Sequence, residues 1–571
     1  MAAAGGQFEM TDITVRGIPM RVFKNAPPTM RAFWELTAGY ADRDYIVYED
    51  ERYTYGEVAA QVRALAHLLR DTHGVGLGDR VAIAMRNYPE WIITYWATVS
   101  IGAAVVGMNA WWTTEEMEYG LSDSRPKVIV ADDERVERVL PVLEGLRSAG
   151  PMHLIAVRTD RQLVDDCSRW SDVVNAGNAP ESLPAADIDP DDDACIFYTS
   201  GTTGFPKGAQ LTHRGSVHNV MNLVFMSLTA ATAEGKAVAA GDLVAKQTAA
   251  DDAAPAQPVY MAPTPLFHVT ANNCLLQPCT LVGGRIVLTY KWDPGRALEL
   301  IERERVTNFS GVPTMSRELI SHPDWERRDT SSIQGMGGGG AALQPDLVEK
   351  IDKSLSRGAP STGYGLTETH GIVTANASKF FVEKPTSCGR AVPVCDVKLI
   401  DDEGNDVTPG PEARGELCVR GPIVVKGYLN RQEATADAIV DGWFRTGDIA
   451  VIDEDGFIHI VDRAKDMVLR GGENVYSAEV ESAIYNHPAV AEAAVFGVPD
   501  DRLGEEVGVA IHLRAGETLD AAALQEFLAA SIAKHKVPRY LWFLDEPLPR
   551  NANGKFVKRE LKERLIPTLS S

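Results

Sequence analysis

Apolar residues recur along the first half of the chain in two alternating rhythms. Val58, Val62, Leu65 and Leu69 fall on one face of a helix, and Thr54 and Glu57 stand before them at capping-box spacing. Short apolar runs at 81–85, 127–130, 154–157 and 194–198, each bounded by Gly, Pro or Asp, read as buried strands. Compact strands separated by helical stretches predict an α/β domain whose sheet is largely parallel and covered on both faces. The uncharged run 91–108 is just long enough to raise the question of a membrane span. Thr94, Thr98, Ser100, Gly102 and Gly107 interrupt it, and the pattern fits a buried helix followed by a buried strand.

Further on the rhythm changes three times. Residues 229–257 are Ala-rich and lack aromatics, which predicts a surface insertion or flexible loop. Residues 397–425 alternate like strands, with turns at 402–404 and 409–411, and predict an antiparallel β unit. After about residue 465 a helix near 479–485, strands at 491–498 and 507–513, a helix over 521–534 and a last strand near 540–544 predict a small separate α/β domain. Leu524, Phe527, Leu528 and Ile532 would form the buried face of the second helix. The expected organisation is α/β throughout. A large N-terminal domain (1–464) has mostly parallel sheets covered by helices plus a small β subdomain, and a small mobile C-terminal domain spans 465–571.

At 571 residues the chain needs more than one core. Its net charge of −23 argues against a nucleic-acid partner, although a few local cations and backbone N–H groups can still hold a phosphate. The seven cysteines are scattered without a CxxC, so buried free thiols in a reducing compartment are expected rather than a disulfide framework or metal site. The first residues lack a basic segment followed by an apolar core, so no secretory signal is expected and the default location is cytoplasmic.

The stretch YTSGTTGFPKGA, 198–209, follows a predicted strand. Thr199, Ser200, Thr202 and Thr203 supply hydroxyls, Gly201, Gly204 and Gly208 let the backbone bend around a bulky anion, and Lys207 adds a positive charge. Such a loop suits the outer phosphates of a nucleotide, yet it lacks Walker spacing, and a hydrophilic linker is the plain alternative. Other stretches stand out less by themselves. They are PLFHV (265–269), GVPT (311–314), GGGGAA (337–342), STGYGLTET (361–369), WFRTGDI (443–449), DRAKDMVLRGGENVY (462–476) and PRNANGK (549–555). Alone, NGK is an ordinary hairpin turn, Asp448 a turn residue and His268 a core histidine.

Together and in this order, from about Arg31 to Lys562, these stretches resemble the adenylate-forming superfamily. That superfamily includes acyl-CoA synthetases, coumarate-CoA-type ligases, luciferases and the adenylation domains of peptide synthetases. The likeness is strongest to fatty-acid or related acyl-CoA ligases. The resemblance implies ATP, Mg²⁺ and coenzyme A. Ser200, Thr203 and Lys207, with Thr199, Gly201, Thr202 and Gly204, would grip the leaving phosphates. Thr362, Gly363, Tyr364 and Gly365 would form the adenine motif, with Tyr364 stacking on the purine. Thr367 would bond the α-phosphate, and Glu368 would hold Mg²⁺. Gly340, Ala341 and Ala342 would run between adenine and acyl pocket, and His268, Gly311, Val312, Gly338 and Gly339 would line that pocket. No general-base role is given to His268.

Asp448 would accept the ribose hydroxyls, and Arg463 would contact ribose or phosphate. Lys465 would be the hinge, and Gly471 and Gly472 would let the pantetheine arm pass, with Arg470 near the CoA phosphates. Lys555 would reach the reacting carboxylate and α-phosphate. The reaction implied is acyl-adenylate formation followed by transfer to a thiol. A carrier-protein acyl-AMP ligase usually has an insertion after the adenine motif, and 370–388 is too short for one, so CoA is favoured. A luciferase-like oxygenase and a non-catalytic nucleotide-binding regulator are the other readings. Lys555, Glu368 and Lys465 together speak against the regulator. Partners are then a small carboxylic acid and CoA, without nucleic acid or transmembrane segment. Peripheral membrane contact is compatible, and the oligomeric state is open. Glycines 337–340 suggest a roomy pocket, for medium, long or bulky acids rather than acetate.

Overall fold

A computed structural model describes residues 1–199, 205–243, 257–463, 466–471, 473–551 and 554–569. Ser200, Gly201, Thr202, Thr203, Gly204, Lys465 and Gly472 lie outside the described residues, as do residues 244–256 of the Ala-rich stretch. The chain divides into two compact units, one of residues 1–396 and 419–444, the other of 397–418 and 445–571.

The first unit holds two large sheets. A seven-stranded sheet runs Lys207–Thr212, Asp193–Thr199, Ala104–Gly107, Arg80–Ala84, Val128–Asp132, His153–Val157 and Cys167–Arg169, parallel except for its first pair. A nine-stranded sheet has a parallel centre of Ala359–Tyr364, Gly335–Gly338, Asn308–Gly311, Val259–Ala262, Arg285–Leu288 and Asp44–Tyr48, with antiparallel edges. The strands read from the sequence in this half are all present. The capping box at Thr54 and Glu57 forms, with both reciprocal bonds, in front of the helix Tyr55–His67.

The uncharged run resolves into the helix Pro89–Ser100 and the strand Ala104–Gly107. Every residue of that helix is buried, and it touches strands of both sheets. A helix between two sheets has no solvent face, and the one charged residue of this one, Glu90, pairs with Arg158 at 3.0 Å. Among the described residues no helix is long and apolar enough to cross a membrane.

The Ala-rich stretch corrects the loop expectation in part. The helix His213–Ala240 takes up residues 229–240 and ends at Gly241 in the left-handed region. Alanine has the best intrinsic helix propensity, so the chain extends a helix there without a large apolar face. The near end of this helix is buried and held by histidines. His213 Nδ1 accepts the Met30 amide at 3.1 Å, and the His218 ring donates from Nδ1 to the Arg214 carbonyl at 2.9 Å.

The second unit carries an antiparallel pair, Asp396–Ile400 with Asp406–Val407, and the long hairpin Trp443–Ile452 with Ile458–Arg463. It also carries a five-stranded sheet in which Gly504–Leu513 pairs with Val490–Asp500, Val468–Arg470 and Tyr540–Leu544. The helix Ala521–Ala529 stops short of residue 534, and Leu524 and Leu528 are its buried residues. Phe527 is instead 36% exposed and meets the His487 ring edge-on.

Burial pushes His213 down to about 3 and His218 to about 4. Both are protonated far more readily when unfolded, so their contribution is intact above about pH 6.5 and is lost as pH falls. Each should cost about 1.4 kcal/mol per pH unit below that point. Thermal unfolding followed from pH 7 to 5.5 should show a falling midpoint, and the fall should shrink in His218→Gln; a flat midpoint would contradict this.

Candidate active site

The chain leaves the strand Val259–Ala262 toward Arg285–Leu288 on one side, then crosses back to lay Asn308–Gly311, Gly335–Gly338 and Ala359–Tyr364 on the other. That makes the carboxyl end of Val259–Ala262 a topological switch point, where open α/β sheets bind ligands. The sequence-predicted acyl and adenine motifs sit at these strand ends. His268 follows Val259–Ala262, Gly311 and Val312 end the next strand, Gly338 and Gly339 the one after, and Thr362, Gly363 and Tyr364 the last. Gly340, with φ 84°, and the exposed Ala341 and Ala342 form the loop beyond.

Close strand packing explains two of these glycines. A Cβ on Gly337 would overlap the Ser361 carbonyl oxygen, and one on Gly338 the Gly311 carbonyl oxygen. Their missing side chains are therefore matched by backbone, so these two glycines carry no information about pocket size. His268 caps the short helix Val269–Ala271, its Nδ1 accepting the Thr270 amide at 3.3 Å.

The described ends of the phosphate-loop motif lie on the paired antiparallel strands Asp193–Thr199 and Lys207–Thr212, with Thr199 opposite Lys207. Lys207 Nζ lies 5.2 Å from the centre of the Tyr428 ring, and Tyr428 donates its hydroxyl to Glu368 Oε1 at 2.8 Å. Tyr428 thus spans from the hairpin lysine to the motif carboxylate. Burial, then the neighbouring Glu368 charge, raises the Tyr428 hydroxyl well above its ordinary range, which keeps it a donor. The segment carrying it adds to the hairpin edge: Lys426 donates to Gln210, Gln210 to Gly427 and Leu429 to Gly208, at 2.8–3.0 Å. Val425 donates to the Glu368 carbonyl at 2.9 Å.

Glu368 is buried in the short turn Thr367–Thr369, and no cation pairs with it among the described residues. His370 closes that turn with φ 57°. Its Nε2 accepts the Thr212 amide at 2.8 Å and its Nδ1–H donates to the Ile423 carbonyl at 2.6 Å, which fixes the tautomer. Burial pushes its pKa down to about 3, so the ring is neutral. Glycines make room for this packing. A Cβ on Gly215 would overlap the His370 ring, and one on Gly365 the Gly371 carbonyl oxygen. Sequence reading missed both Tyr428 and His370. Tyr428 follows an apolar run and a glycine, and His370 follows the motif directly, but no spacing rule joins either to residue 368.

In the second unit Asp448 and Arg463 face each other across a hairpin, and Arg463 Nε lies 3.1 Å from Asp448 Oδ1. Asp448 is 2% exposed; its amide donates to Thr446 Oγ1 at 3.1 Å, and Glu416 accepts the Gly447 amide at 2.9 Å. Lys555 stands on a tight turn in which Asn551 Oδ1 accepts the Lys555 amide at 3.0 Å and Arg550 donates to Gly554 at 2.7 Å. Gly471 is left-handed at φ 61°. Arg470 is engaged by both Glu506 oxygens, at 2.7 and 2.9 Å.

The profile described as AMP-binding enzyme matches residues 33–429, and that of the AMP-binding enzyme C-terminal domain matches 479–555. The chain therefore belongs to the AMP-binding enzymes, the adenylate-forming superfamily, and is an enzyme of the AMP-forming acyl-CoA synthetase type. It is 37% identical over 513 residues to a feruloyl-CoA synthase of Amycolatopsis sp, covering 90% of this chain and 94% of the relative. It is 32% identical over 551 residues to a long-chain-fatty-acid–CoA ligase of Bacillus subtilis (strain 168), covering 93% of each. Among solved structures, the anthranilate CoA ligase AuaEII in complex with anthranoyl-AMP matches with TM-score 0.81 at 25% identity, covering 95% of this chain and 98% of that one.

Tyr428→Phe keeps the ring but strips Glu368 Oε1 of its donor. Bonds to charged acceptors are worth about 1.5–3 kcal/mol, so kcat/KM for MgATP in pyrophosphate exchange should fall roughly tenfold or more. An unchanged value would remove Tyr428 from the site. His370→Ala leaves the Thr212 amide and Ile423 carbonyl without their partner and should lower the thermal midpoint, because each group costs about 1–3 kcal/mol unpaired. Unchanged melting would show that the imidazole bridge is dispensable.

Proposed function

We propose that the protein is an ATP-dependent acid–CoA ligase, forming an acyl-adenylate and then an acyl-CoA thioester. The observation that carries this reading is the Lys207–Tyr428–Glu368 row, which places a cation over the ring and a buried carboxylate at the hydroxyl of one aromatic residue. Glu368 fits Mg²⁺: it is a hard oxygen donor, buried, supplied with a neutral partner and no cation among the described residues. Such an ion usually relies on one or two carboxylates plus substrate phosphates, consistent with the lack of a larger acidic or histidine cluster among the described residues. When bound, Mg²⁺ neutralises charge on the phosphates.

In the first half-reaction a carboxylate oxygen of the acid attacks the α-phosphorus, the bond to the β-phosphate bridge oxygen breaks, and pyrophosphate leaves. Lys207 and the hydroxyls of Thr199, Ser200 and Thr203 hold the departing phosphates, while Thr367 orients the α-phosphate and Tyr364 the purine. Asp448 accepts the ribose hydroxyls, with Arg463 beside it. Lys555 neutralises the reacting carboxylate and α-phosphate. In the second half-reaction the CoA sulfur, having lost its proton to solvent, attacks the acyl carbon and AMP leaves. Lys465 serves as hinge between a domain of residues 1–464 and a mobile one of 465–571, and the Gly471–Gly472 backbone admits the pantetheine arm. The acid is of medium or long chain, or bulky; the similarity to both feruloyl-CoA and long-chain ligases supports this breadth.

Acid-dependent exchange of pyrophosphate into ATP tests the reading directly. Lys555→Ala should slow that exchange about 10²–10³-fold, the usual effect of one lost donor at a developing anion. It should largely spare thioester formation from supplied acyl-adenylate. Equal loss in both half-reactions would contradict the role.

A further inference from the structure

Lys207 is braced at its ammonium end by the Tyr428 ring, and the backbone that leads into it is braced by a residue the reaction above does not use. Tyr119 lies half-buried on the helix Thr114–Ser124, edge-on to the Tyr198 ring at 6.4 Å. Its hydroxyl donates to the Pro206 carbonyl at 2.9 Å, and its ring stacks on Phe205 with centroids 4.6 Å apart and planes 20° from parallel. Phe205 is 71% exposed, so burial does little to hold it, and among the described residues its one ring contact is that stack.

These two contacts set the step into the strand Lys207–Thr212. The pyrrolidine ring locks φ of Pro206, and a bond to its carbonyl oxygen fixes the peptide plane it shares with Lys207. Both soft dihedrals of the residue before the lysine are then held. The direction of the bonds is unambiguous. Arg431 Nη2 lies 3.2 Å from the Tyr119 oxygen and can only donate, so the single phenolic proton goes to Pro206. Asp123 orients the guanidinium from 3.4 Å and also accepts the Tyr198 hydroxyl at 2.9 Å. Arg431 donates its amide to the Tyr428 carbonyl at 3.1 Å. One short segment, 428–431, therefore braces the lysine twice, through the Tyr428 ring at Nζ and through Arg431 and Tyr119 at the preceding peptide. A phenylalanine at 119 would fill the same space; the hydroxyl adds only this link.

Resting on the reading that Lys207 holds the outer phosphates of ATP, we infer that Tyr119 is a positioning residue for that lysine, and that the exposed Phe205 ring belongs to the same clamp. The clamp acts on the nucleotide through Lys207 alone. It therefore serves ligands that carry a β-phosphate and is indifferent to AMP.

Binding of MgATP and of AMP, measured separately by calorimetry without acid or CoA, tests this. Tyr119→Ala should weaken MgATP about tenfold or more while AMP stays within about twofold, and Tyr119→Phe, which keeps the ring stack and loses the hydroxyl, should fall between. In a Lys207→Ala background the Tyr119→Ala loss should shrink to about twofold or less, because the two residues act through one contact. Should Tyr119→Ala fail to fold, Phe205→Ala, at an exposed position, gives the same comparison. Equal weakening of MgATP and AMP, a loss that persists undiminished without Lys207, or an unchanged MgATP affinity would overturn the inference. Selective, Lys207-dependent MgATP binding without pyrophosphate exchange for any acid would sink the ligase reading alone, whereas an unsubstituted protein that binds no MgATP would sink both.

Discussion

The arrangement in the first unit hangs on one uncharged imidazole. His370 takes the amide at the end of the phosphate hairpin and gives its own N–H to the carbonyl of residue 423. Its position two residues after Glu368 fixes where the carboxylate turn lies relative to that hairpin. The bridge works only while the ring is neutral and in one tautomer, because Nε2 must remain an acceptor. Deep burial secures the neutral form. The ring also needs room, which is why residue 215, on the first turn of the long helix, has no side chain.

With the turn fixed, the electrostatics follow. A protein of net charge −23 repels polyanions at long range, so any phosphate site on it must be local. In the first unit Lys207 is held against the Tyr428 ring, and among the described residues no carboxylate pairs with it. The same tyrosine stabilises Glu368 through a hydroxyl that adds no positive charge. One aromatic residue keeps cation and carboxylate near each other without letting them cancel.

Local signals made most elements legible in the sequence. Strands bounded by turn residues, the capping box at Thr54 and the last strand at 540–544 all involve neighbours in the chain, where period and propensity act directly. The Ala-rich stretch misled because a lack of large apolar residues was read as a lack of structure, whereas alanine needs no buried face to continue an existing helix. Phe527 misled because helical periodicity places a side chain on a face without saying how wide the neighbouring element is. The motif residues announced themselves by type, as hydroxyls, glycines and carboxylates. Their partners did not. Tyr428 and His370 act across 60 and 158 residues of sequence, and only the fold brings those distances to hydrogen-bonding range.

Two kinds of incompleteness surround the Glu368 turn, and they differ in what would complete them. The Glu368 carboxylate has no countercharge among the described residues, and only a cation can supply one. Among the described residues, both side-chain atoms of Asn222 and one each of Asn273 and Gln277 lack hydrogen-bond partners, which a buried water can supply. The wholly buried helix Pro89–Ser100 carries polar atoms of the same kind, at Trp91, Thr98 and Ser100, that have no partner among the described residues. The bonds that are present account for keeping amides here: Asn273 accepts from Asn272, and Gln277 donates to the Tyr95 hydroxyl, which ties the end of the π-helical turn Asn272–Leu276 to the helix Pro89–Ser100.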